Sequence, residues 1–518
     1  MGVRDILIIG SGIAGLSAAV TAKMEGANVI VATKAAATVN NSVMAQGGMN
    51  VALANVDNDS VSLHISDTLK SSHNLANPKM VELMCQNGID ATLFLEQIGV
   101  PFSRIDGASS PLKSIAQRKL GGASATRACY AQDYTGLKIL HTLLDRAINL
   151  EIPIREGLFL LELIKENEQV CGALFFNINS GEIEPIYANK VIVATGGFGA
   201  IYAKNTNSKT STGDGIAAIF RAGGELSNLE FVQFHPTTLK GSNILISESA
   251  RGAGAYLVNS KEERFVDELA TRDIVAKASF EQIIQGESVY LDMRHIGKEK
   301  LQTLMPQELK LIKQYAKADA ANELVEIEPA VHYTMGGVSV KENFEVVGLK
   351  SCFCIGEASN ANVHGANRLG GNSLLEALSF GILSAKEALN IQTQEVKAKN
   401  INYTLPLKDN SDNFAVLKAK KRISNLLFEK VGIVRDENGL NEALKELEEL
   451  NINNLTINDN PKNSALLIDL LELKNANIIA KALIKSALWR KESRGSHIRR
   501  DYPNESKEFE CNSKICYN

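Results

Sequence analysis

Residues 5–34, DILIIGSGIAGLSAAVTAKMEGANVIVATK, predict a strand, a tight glycine turn, a helix and a second strand. Gly10, Gly12 and Gly15 form the pattern G-x-G-x-x-G directly after the first apolar run, and small residues behind them let the helix approach the sheet closely. The amino terminus of such a helix presents free N–H groups to a pyrophosphate. A strand–helix hairpin that needs glycine only for packing is the alternative. The complete strand–turn–helix–strand context favours a dinucleotide site.

The end of the second strand argues against a simple NAD dehydrogenase. Thr33 and Lys34 stand where a nicotinamide-binding fold places a carboxylate for the ribose 2′-hydroxyl. The dinucleotide is therefore expected to be of another kind.

Bulk composition excludes several classes of protein. The chain has 518 residues, a net charge of -4 and a balance of 55 basic against 59 acidic residues, so it lacks the field of a nucleic-acid binder. Its 7 cysteines include no C-x-x-C pair, which predicts a reducing compartment and no metal site. No apolar run has the length of a membrane span, and the first strand leaves no room for a signal segment. These features predict a cytoplasmic protein without direct membrane insertion.

Two later stretches, KVIVATGGFG (190–199) and CFCIGEA (352–358), repeat the pattern of an apolar strand that runs into glycine. Their wide separation predicts one sheet whose chain is interrupted by an inserted domain. Cys352 and Cys354 alternate along the third strand and are expected to be small apolar residues on one face, with a redox pair as the alternative.

The composition changes towards the carboxyl end. After Asn390, Lys, Asn, Glu and Leu at helical spacing predict a helical domain, as in LKAKKRISNLLFEKVG (417–432) and ALLIDLLELKNANIIAKALIKSALW (465–489). The polar stretch beyond Ser496 predicts loop or partial disorder.

Six motifs follow one another along the chain: AQGGMN (45–50), ATGGFG (194–199), EFVQFHPT (230–237), HYTMGG (332–337), HGANRLGGNSL (364–374) and ESRGSHIRRDYP (492–503). Together they resemble the flavoprotein subunit of succinate dehydrogenase and fumarate reductase, together with its relative L-aspartate oxidase. The resemblance covers nearly the whole chain, and six ordered motifs do not arise by chance.

The resemblance implies an α/β fold with bound FAD. A Rossmann-like, two-lobed FAD-binding domain would comprise residues 1–228 and 331–390, and an inserted α+β capping domain residues 229–330. A C-terminal helical domain (391–495) and a tail (496–518) would follow. The implied reaction is hydride transfer between FAD N5 and a C4 dicarboxylate. The absence of a histidine tether, described below, predicts that fumarate reduction is favoured over succinate oxidation.

A dicarboxylate requires cationic or donor groups at both of its ends. By family resemblance, His332 and Arg368 would hold one carboxylate, and His235 and Ser247 the other. The residues alone leave two alternatives open. His235 could be a core histidine bonded to the backbone, and Arg368 could form an ion pair within its glycine-rich loop.

The reaction also requires a proton source. Arg272 resembles the catalytic arginine of the family and would act as the proton donor. Glu248 and Arg251 are three residues apart, so on a helical turn they share one face and could resupply that proton. The alternative is an Arg272–Asp273 ion pair with a purely electrostatic role.

The glycine turn and the resemblance together imply a set of FAD contacts: Gly10, Ser11, Gly12, Gly15, Lys34, Asn41, Ser42, Gln46, Gly47, Gly48, Ala194, Thr195, Gly196, Asp214, Glu357, Ser373 and Leu374.

Three positions depart from the family pattern. Membrane-bound members attach FAD through a histidine five residues before the glutamine of AQGG, where this chain has Asn41, so FAD is predicted to be held without a covalent bond. Leu120 stands where L-aspartate oxidase has a glutamate for the ammonium group of aspartate. That favours fumarate over the aspartate oxidase alternative, because an unpartnered buried ammonium is unfavourable. Ala253 replaces the glutamate of the usual R-G-E-G.

The partners follow from the resemblance. An iron–sulfur subunit, linked to a quinol or thiol donor, would supply electrons, because the chain has no cluster motif of its own. Peripheral association with the inner face of the cell membrane would come through such partners. A flavin-binding assembly subunit without catalysis is a further alternative, against which His235, His332, Arg272 and Arg368 argue together.

Overall fold

The computed structural model describes residues 3–394, 396–397, 401–408, 411, 413–458 and 465–517. The strands in these ranges are β1 (Arg4–Ile9), β2 (Val29–Thr33), β3 (Met49–Asn50), β4 (Gln117–Arg118), β5 (Ala128–Cys129), β6 (Ile154–Glu156), β7 (Leu158–Glu166), β8 (Gln169–Asn177), β9 (Ile183–Val193), β10 (Leu226–Ser227), β11 (Val232–Leu239), β12 (Tyr256–Val258), β13 (Val289–Asp292), β14 (Val325–Thr334), β15 (Gly337–Ser339), β16 (Cys352–Cys354), β17 (Ser359–Asn360), β18 (Val434–Arg435), β19 (Ile498–Arg499) and β20 (Lys514–Ile515). The helices are α1 (Ile13–Met24), α2 (Val61–Ser71), α3 (Pro78–Gln97), α4 (Thr135–Asn149), α5 (Asp214–Arg221), α6 (Glu248–Gly252), α7 (Arg272–Ile284), α8 (Lys298–Leu304), α9 (Pro306–Leu311), α10 (Asn372–Asn390), α11 (Asn413–Lys430), α12 (Glu437–Glu449) and α13 (Ala465–Trp489).

The largest sheet of the described residues has the strand order β6–β2–β1–β9–β8–β7, and β16 also pairs with β9. Strands β6, β2, β1, β9 and β16 run parallel, whereas β7 and β8 are antiparallel neighbours. The strands predicted from three distant stretches of sequence therefore share one sheet, and the prediction of an α/β fold with an insertion is confirmed. Cys352 and Cys354 are buried on one face of β16, while Phe353 belongs to the apolar cluster on the other.

Two glycines make the turn between β1 and α1 possible. Gly10 has φ +114, and a Cβ atom there would lie 2.2 Å from the carbonyl oxygen of Ala194. A Cβ atom at Gly15 would lie 2.0 Å from the carbonyl oxygen of Gly10. Larger residues would therefore force the helix away from the sheet. The close approach directs the amino terminus of α1 towards the carboxyl ends of β1 and β9.

The inserted segment forms a second sheet with its own core. Strands β11, β14, β13 and β12 pair antiparallel in that order. The core includes Ile246, Leu257 and Leu291, and α6–α9 lie in the same segment. Strand β14 extends to Thr334, past the predicted boundary at residue 330, so it carries His332 with it.

The helical segment packs against the largest sheet. Helices α11 and α13 correspond to the two stretches predicted from helical spacing. Their apolar residues, such as Leu426 and Leu483, belong to the same core cluster as strand residues of the main sheet. In the part of the chain that the structure describes, no helix combines the length and apolarity that crossing a membrane requires.

Residues 496–517 are mostly loop, as predicted, but two short strands pair this segment with earlier parts of the chain. Strand β19 pairs with β18, and β20 pairs with β10. Most charged side chains of the tail are exposed. Arg499 is buried and contacts Asp501 at 2.6 Å, and Arg490, just before the tail, contacts Glu230 at 2.6 Å.

Candidate active site

A cavity of about 510 Å³ lies between the glycine turn and the inserted segment. Every residue predicted to contact FAD lines it except Gly15, which instead packs against Gly10. His235, Ser247, His332 and Arg368 line the same cavity, together with two of the predicted proton-relay residues, Arg272 and Glu248. Arg251 is buried behind that wall. The structure thus brings both predicted sites into one space.

The glycine-turn end of the cavity fits a flavin dinucleotide. The backbone at Gly10 and Gly12 is bare, and Gly12 precedes the first residue of α1. The side-chain oxygens of Gln46 and Thr195 are buried without a hydrogen-bond partner among the described residues. Unpaired buried polar atoms are unfavourable, so they mark where a ligand belongs.

Lys34 is already neutralised by acidic groups. Its Nζ contacts Asp214 at 2.6 Å and Glu472 of α13 at 2.9 Å, and it donates to Thr212. Burial lowers the pKa of Lys34, but the two carboxylates outweigh it and raise the pKa above its ordinary value. Lys34 and Asp214 therefore tie the rim of the cavity to the helical segment.

Arg368 is a buried cation that lacks a carboxylate at ion-pair distance among the described residues. Its guanidinium donates to Gln233 Oε1 at 3.1 Å and Ser373 Oγ at 2.9 Å, and it lies 4.2 Å from the centre of the Tyr333 ring. Its Nε has no partner in the described chain. Burial, followed by the charge of Arg272, lowers the pKa of Arg368 to about 10, so it stays charged near neutral pH. The alternative of an ion pair within the glycine-rich loop is not formed.

Arg272 is held by Glu248 and not by Asp273. Its Nε and Nη2 both donate to Glu248 Oε2, at 2.9 and 2.7 Å, and its Nη1 donates to Gln233 at 3.0 Å. Asp273 instead contacts His73 at 3.1 Å and accepts from Asn367. The local Arg–Asp alternative is therefore wrong.

Glu248 links two of the arginines. Arg251 Nη2 lies 3.8 Å from Glu248 Oε1, one turn along α6, as the spacing predicted. Burial raises the pKa of Glu248, but Arg272 and Arg251 outweigh it, so the net pKa is lowered and the group is ionised. Two nitrogens of Arg251, Nε and Nη2, make no hydrogen bond in the described chain, in a helix where Ala253 replaces the family's glutamate.

His235 and His332 are neutral. Burial and the charge of Arg272 hold the pKa of each imidazole well below its ordinary value. Their ring centres are 5.0 Å apart. His235 Nδ1 accepts the backbone N–H of Thr237 at 3.3 Å, so the proton of the neutral ring is on Nε2. His235 is thus bonded to backbone and also available as a donor at the cavity.

Gly370, in the loop of Arg368, and Gly121, in a second loop, both make room for the carboxylate of Glu248. A Cβ atom at Gly370 would lie 2.6 Å from Glu248 Oε2, and one at Gly121 would lie 2.3 Å from Glu248 Oε1. Gly121 also gives Glu248 a backbone hydrogen bond. The bare backbone of two loops therefore fixes where Glu248 and its bound Arg272 lie.

Sequence reasoning missed three buried residues of this site. Gln233, inside EFVQFHPT, accepts from both Arg272 and Arg368. Tyr333, inside HYTMGG, lies under Arg368. Their positions in the quoted motifs were the available signal. Glu308 of α9 accepts the backbone N–H of Ser247 at 3.0 Å and lies outside every motif, so no pattern could have indicated it.

Comparisons with known proteins agree with this geometry. Family models match residues 5–374 as an FAD binding domain and residues 420–517 as the fumarate reductase flavoprotein C-terminal region. The chain belongs to the succinate dehydrogenase and fumarate reductase flavoprotein family. It is an FAD-dependent oxidoreductase of that family.

Individual relatives are similar over almost their full length. The succinate dehydrogenase flavoprotein subunit of Rickettsia bellii is 34% identical over 96% of this chain and 90% of its own. One subunit of the CoM/CoB fumarate reductase of Methanothermobacter marburgensis is 34% identical over 96% of this chain and 94% of its own. A chain of Escherichia coli quinol fumarate reductase superposes with a TM-score of 0.87 at 30% identity, covering 98% of this chain and 93% of that one.

The replacement Gly370→Ala tests the role of bare backbone at this site. The added methyl group displaces the Glu248 carboxylate and with it Arg272, so we expect kcat to fall about tenfold to a hundredfold while the melting temperature changes little. Steady-state kinetics and thermal unfolding measure the two effects. Gly439→Ala is the matched control, because its Cβ atom would be 3.4 Å or more from its neighbours. Equal kcat in the two variants would contradict the spacing argument.

Proposed function

We propose that the protein is the flavoprotein subunit of an enzyme that interconverts fumarate and succinate, with fumarate reduction favoured. One observation carries this proposal: the buried guanidinium of Arg368, which has no carboxylate partner among the described residues, faces the cavity that also contains the residues for FAD. A buried cation without a counterion is unfavourable, so its natural partner is an anionic ligand.

The charge around the proposed substrate site favours an anion. Arg251, Arg272 and Arg368 are three buried cations. Two carboxylates oppose them: Glu248, which is ionised, and Glu357, which lines the cavity and whose pKa is raised by burial to about 7. Positive charge is therefore in excess. Fumarate and succinate each carry two negative charges. Arg368 and His332 would hold one carboxylate, and His235 and Ser247 the other. The neutral histidines supply hydrogen bonds without adding charge.

FAD, when bound, supplies the hydride chemistry. The residues of the chain supply binding, orientation and the proton. Donors that hold the substrate carboxylates also stabilise the negative charge that develops there in the transition state. The side chain of Leu120 offers an apolar surface for the uncharged middle of the substrate.

Arg272 is the proposed proton donor, with Glu248 and Arg251 as the relay. Arginine ordinarily keeps its proton. Here Arg272 donates through two nitrogens to Glu248, so a proton lost to the substrate carbon can be replaced through that carboxylate. Arg251, at 3.8 Å from Glu248, is the next group in the relay.

Replacement of Arg272 tests the donor assignment. We expect Arg272→Ala to lower kcat for fumarate reduction about 10²- to 10⁴-fold, the usual contribution of a positioned acid, with a smaller effect on the affinity for fumarate. Stopped-flow and steady-state assays with a reduced dye separate kcat from KM. Arg264→Gln is the control, because Arg264 is half-exposed and pairs with Glu268 outside the cavity. Near-normal kcat in Arg272→Ala would remove the assignment.

FAD is proposed to be bound without a covalent tether. Asn41 lines the cavity, and its amide donates to Asn207 at 2.8 Å and accepts from the N–H of Ser208 at 2.6 Å. The cavity-lining histidines among the described residues, His235 and His332, are in the proposed substrate site. These contacts support a flavin that is bound without a covalent bond to the chain.

Acid precipitation tests the tether. We expect trichloroacetic acid to leave all the yellow colour in the supernatant, because nothing joins the isoalloxazine to the chain. Absorbance of supernatant and pellet at the flavin maximum gives the result, and a yellow pellet after washing would contradict it. A covalently flavinylated relative treated in parallel is the control.

The direction of the reaction is proposed from the same feature. A histidyl tether raises the potential of the flavin in family members that have it, so its absence favours reduction of fumarate. We expect anaerobically reduced protein to be reoxidised by fumarate at least about tenfold faster than oxidised protein is reduced by succinate at equal concentrations. Faster reduction by succinate would reverse the assignment.

Addition of L-aspartate in the same experiment distinguishes the proposed function from the L-aspartate oxidase alternative. Leu120 is buried at the cavity and offers no partner for an ammonium group. L-Aspartate should therefore leave the oxidised flavin unbleached. Bleaching by L-aspartate but not by succinate would favour the alternative, and no reaction with any of the three acids would favour an assembly subunit without catalysis.

An iron–sulfur subunit is the proposed electron donor, fed by a quinol or a thiol. Two relatives support these two kinds of electron source, since the name of one refers to CoM/CoB and that of the other to quinol. Within the described ranges, no group of three or more metal-ligating side chains is present. Association with the cytoplasmic face of a membrane would come through such partners.

A further inference from the structure

Two buried carboxylates lie behind the proposed substrate site and take no part in the mechanism above. Glu308 and Asp133 are both fully buried. Asp133 Oδ2 accepts the N–H of Gln307, which neighbours Glu308 in α9. Within the described chain, Glu308 Oε2 and Asp133 Oδ1 have no hydrogen-bond partner. Two unpaired carboxylate oxygens at one place are unfavourable if both groups are ionised.

Glu308 contacts the serine pair at the start of α6. Its Oε1 accepts the backbone N–H of Ser247 at 3.0 Å and lies 3.5 Å from the hydroxyl of Ser249. The hydroxyl groups of Ser247 and Ser249 share a short hydrogen bond, and Ser247 Oγ also accepts the N–H of Ser249. Ser247 lines the cavity. A hydrogen-bonded chain thus runs from Glu308 through Ser249 to the cavity.

A serine hydroxyl has one proton to donate, so the hydrogen bonds between Glu308, Ser249 and Ser247 can run in either of two directions. If Glu308 is ionised, it accepts from Ser249, and Ser249 accepts from Ser247. The single proton of Ser247 then points away from the cavity. If Glu308 carries a proton, it donates to Ser249, Ser249 donates to Ser247, and Ser247 is left free to donate into the cavity.

We propose that Glu308 is a positioning residue whose proton orients Ser247 as a donor to the substrate, so that binding of a dicarboxylate takes up a proton at Glu308. The proposal rests on the proposed function, because it takes Ser247 as a ligand of one substrate carboxylate. Glu308 acts through Ser249 and Ser247 and does not touch the substrate.

The charged groups that face Glu308 support this behaviour. Burial raises the pKa of Glu308 to about 7; the negative charge of Asp133 adds to that effect, while the Ser247 hydrogen bonds and the positive charge of Arg118 oppose it. Glu308 therefore holds its proton below about pH 7 and loses it above. Glu357 shares the cavity and has a pKa raised by burial to about 7, so wild-type pH dependence alone does not identify the group.

The test is a titration of the oxidised holoenzyme with fumarate between pH 6 and 8.5. Flavin absorbance gives Kd, and calorimetry in two buffers of different ionisation enthalpy gives the protons taken up. We expect the wild-type Kd to rise above pH 7 towards about tenfold per pH unit, with up to about one proton taken up on binding. Glu308→Gln should flatten this rise and reduce proton uptake, because an amide does not titrate.

A second variant keeps the test decisive if Glu308→Gln fails to fold. Ser249→Ala breaks the hydrogen-bonded path between Glu308 and Ser247. The Kd of this variant for fumarate should therefore not depend on the protonation of Glu308, and at pH 8 it should be no larger than the wild-type Kd. Glu299→Gln, an exposed carboxylate on α8, is the matched control and should keep the wild-type slope.

Two results would overturn the inference, and they are distinguishable. Wild-type protein that binds fumarate with the same pH slope and proton uptake as both variants would overturn the role of Glu308 and leave the proposed function intact. Wild-type protein whose flavin spectrum and calorimetric heat do not respond to fumarate would overturn the proposed function, and the inference with it.

Discussion

The buried positive charge of Arg368 is the constraint on which the site depends. No carboxylate of the described residues is at ion-pair distance, and its partners are an amide oxygen, a hydroxyl and an aromatic face. Such a charge is costly to bury unless a ligand compensates it. Gln233 Oε1 accepts from Arg368 and from Arg272, so one neutral oxygen holds the two guanidiniums in a fixed relation. The site is therefore arranged for an anion before one arrives.

Glycine at four positions, where a Cβ atom would clash, is the second requirement of this arrangement. Gly10 and Gly15 let α1 approach the main sheet, which directs its amino terminus into the cavity. Gly121 and Gly370 leave space on two sides of the Glu248 carboxylate, which in turn orients Arg272. The same property, the absence of a Cβ atom, serves the cofactor end and the proton-relay end of one cavity.

The fold could be predicted because local patterns specify it, whereas the candidate site residues followed from the resemblance of six motifs to a known family. The glycine turn, the strand periodicity and the alternation of Cys352 and Cys354 each act over a few residues. Pairing partners could not be predicted: Arg272 has an aspartate as its chain neighbour but binds Glu248, 24 positions away. The pairing of β19 with β18 and of β20 with β10 could not be predicted for the same reason, because each pair joins residues far apart in the chain. Glu308 contacts Ser247 and Ser249, which lie about 60 positions earlier, and no spacing in the sequence encodes these contacts.

The proposed site holds both ends of a four-carbon diacid beside the flavin. Anaerobic mixing of the photoreduced protein with fumarate, and separately with crotonate, in which a methyl group replaces one carboxylate, tests it most directly. We expect fumarate to reoxidise the flavin and crotonate to do so at least about 10³-fold more slowly, because the polar groups at one end are left unpaired. Similar rates with both acids would contradict it.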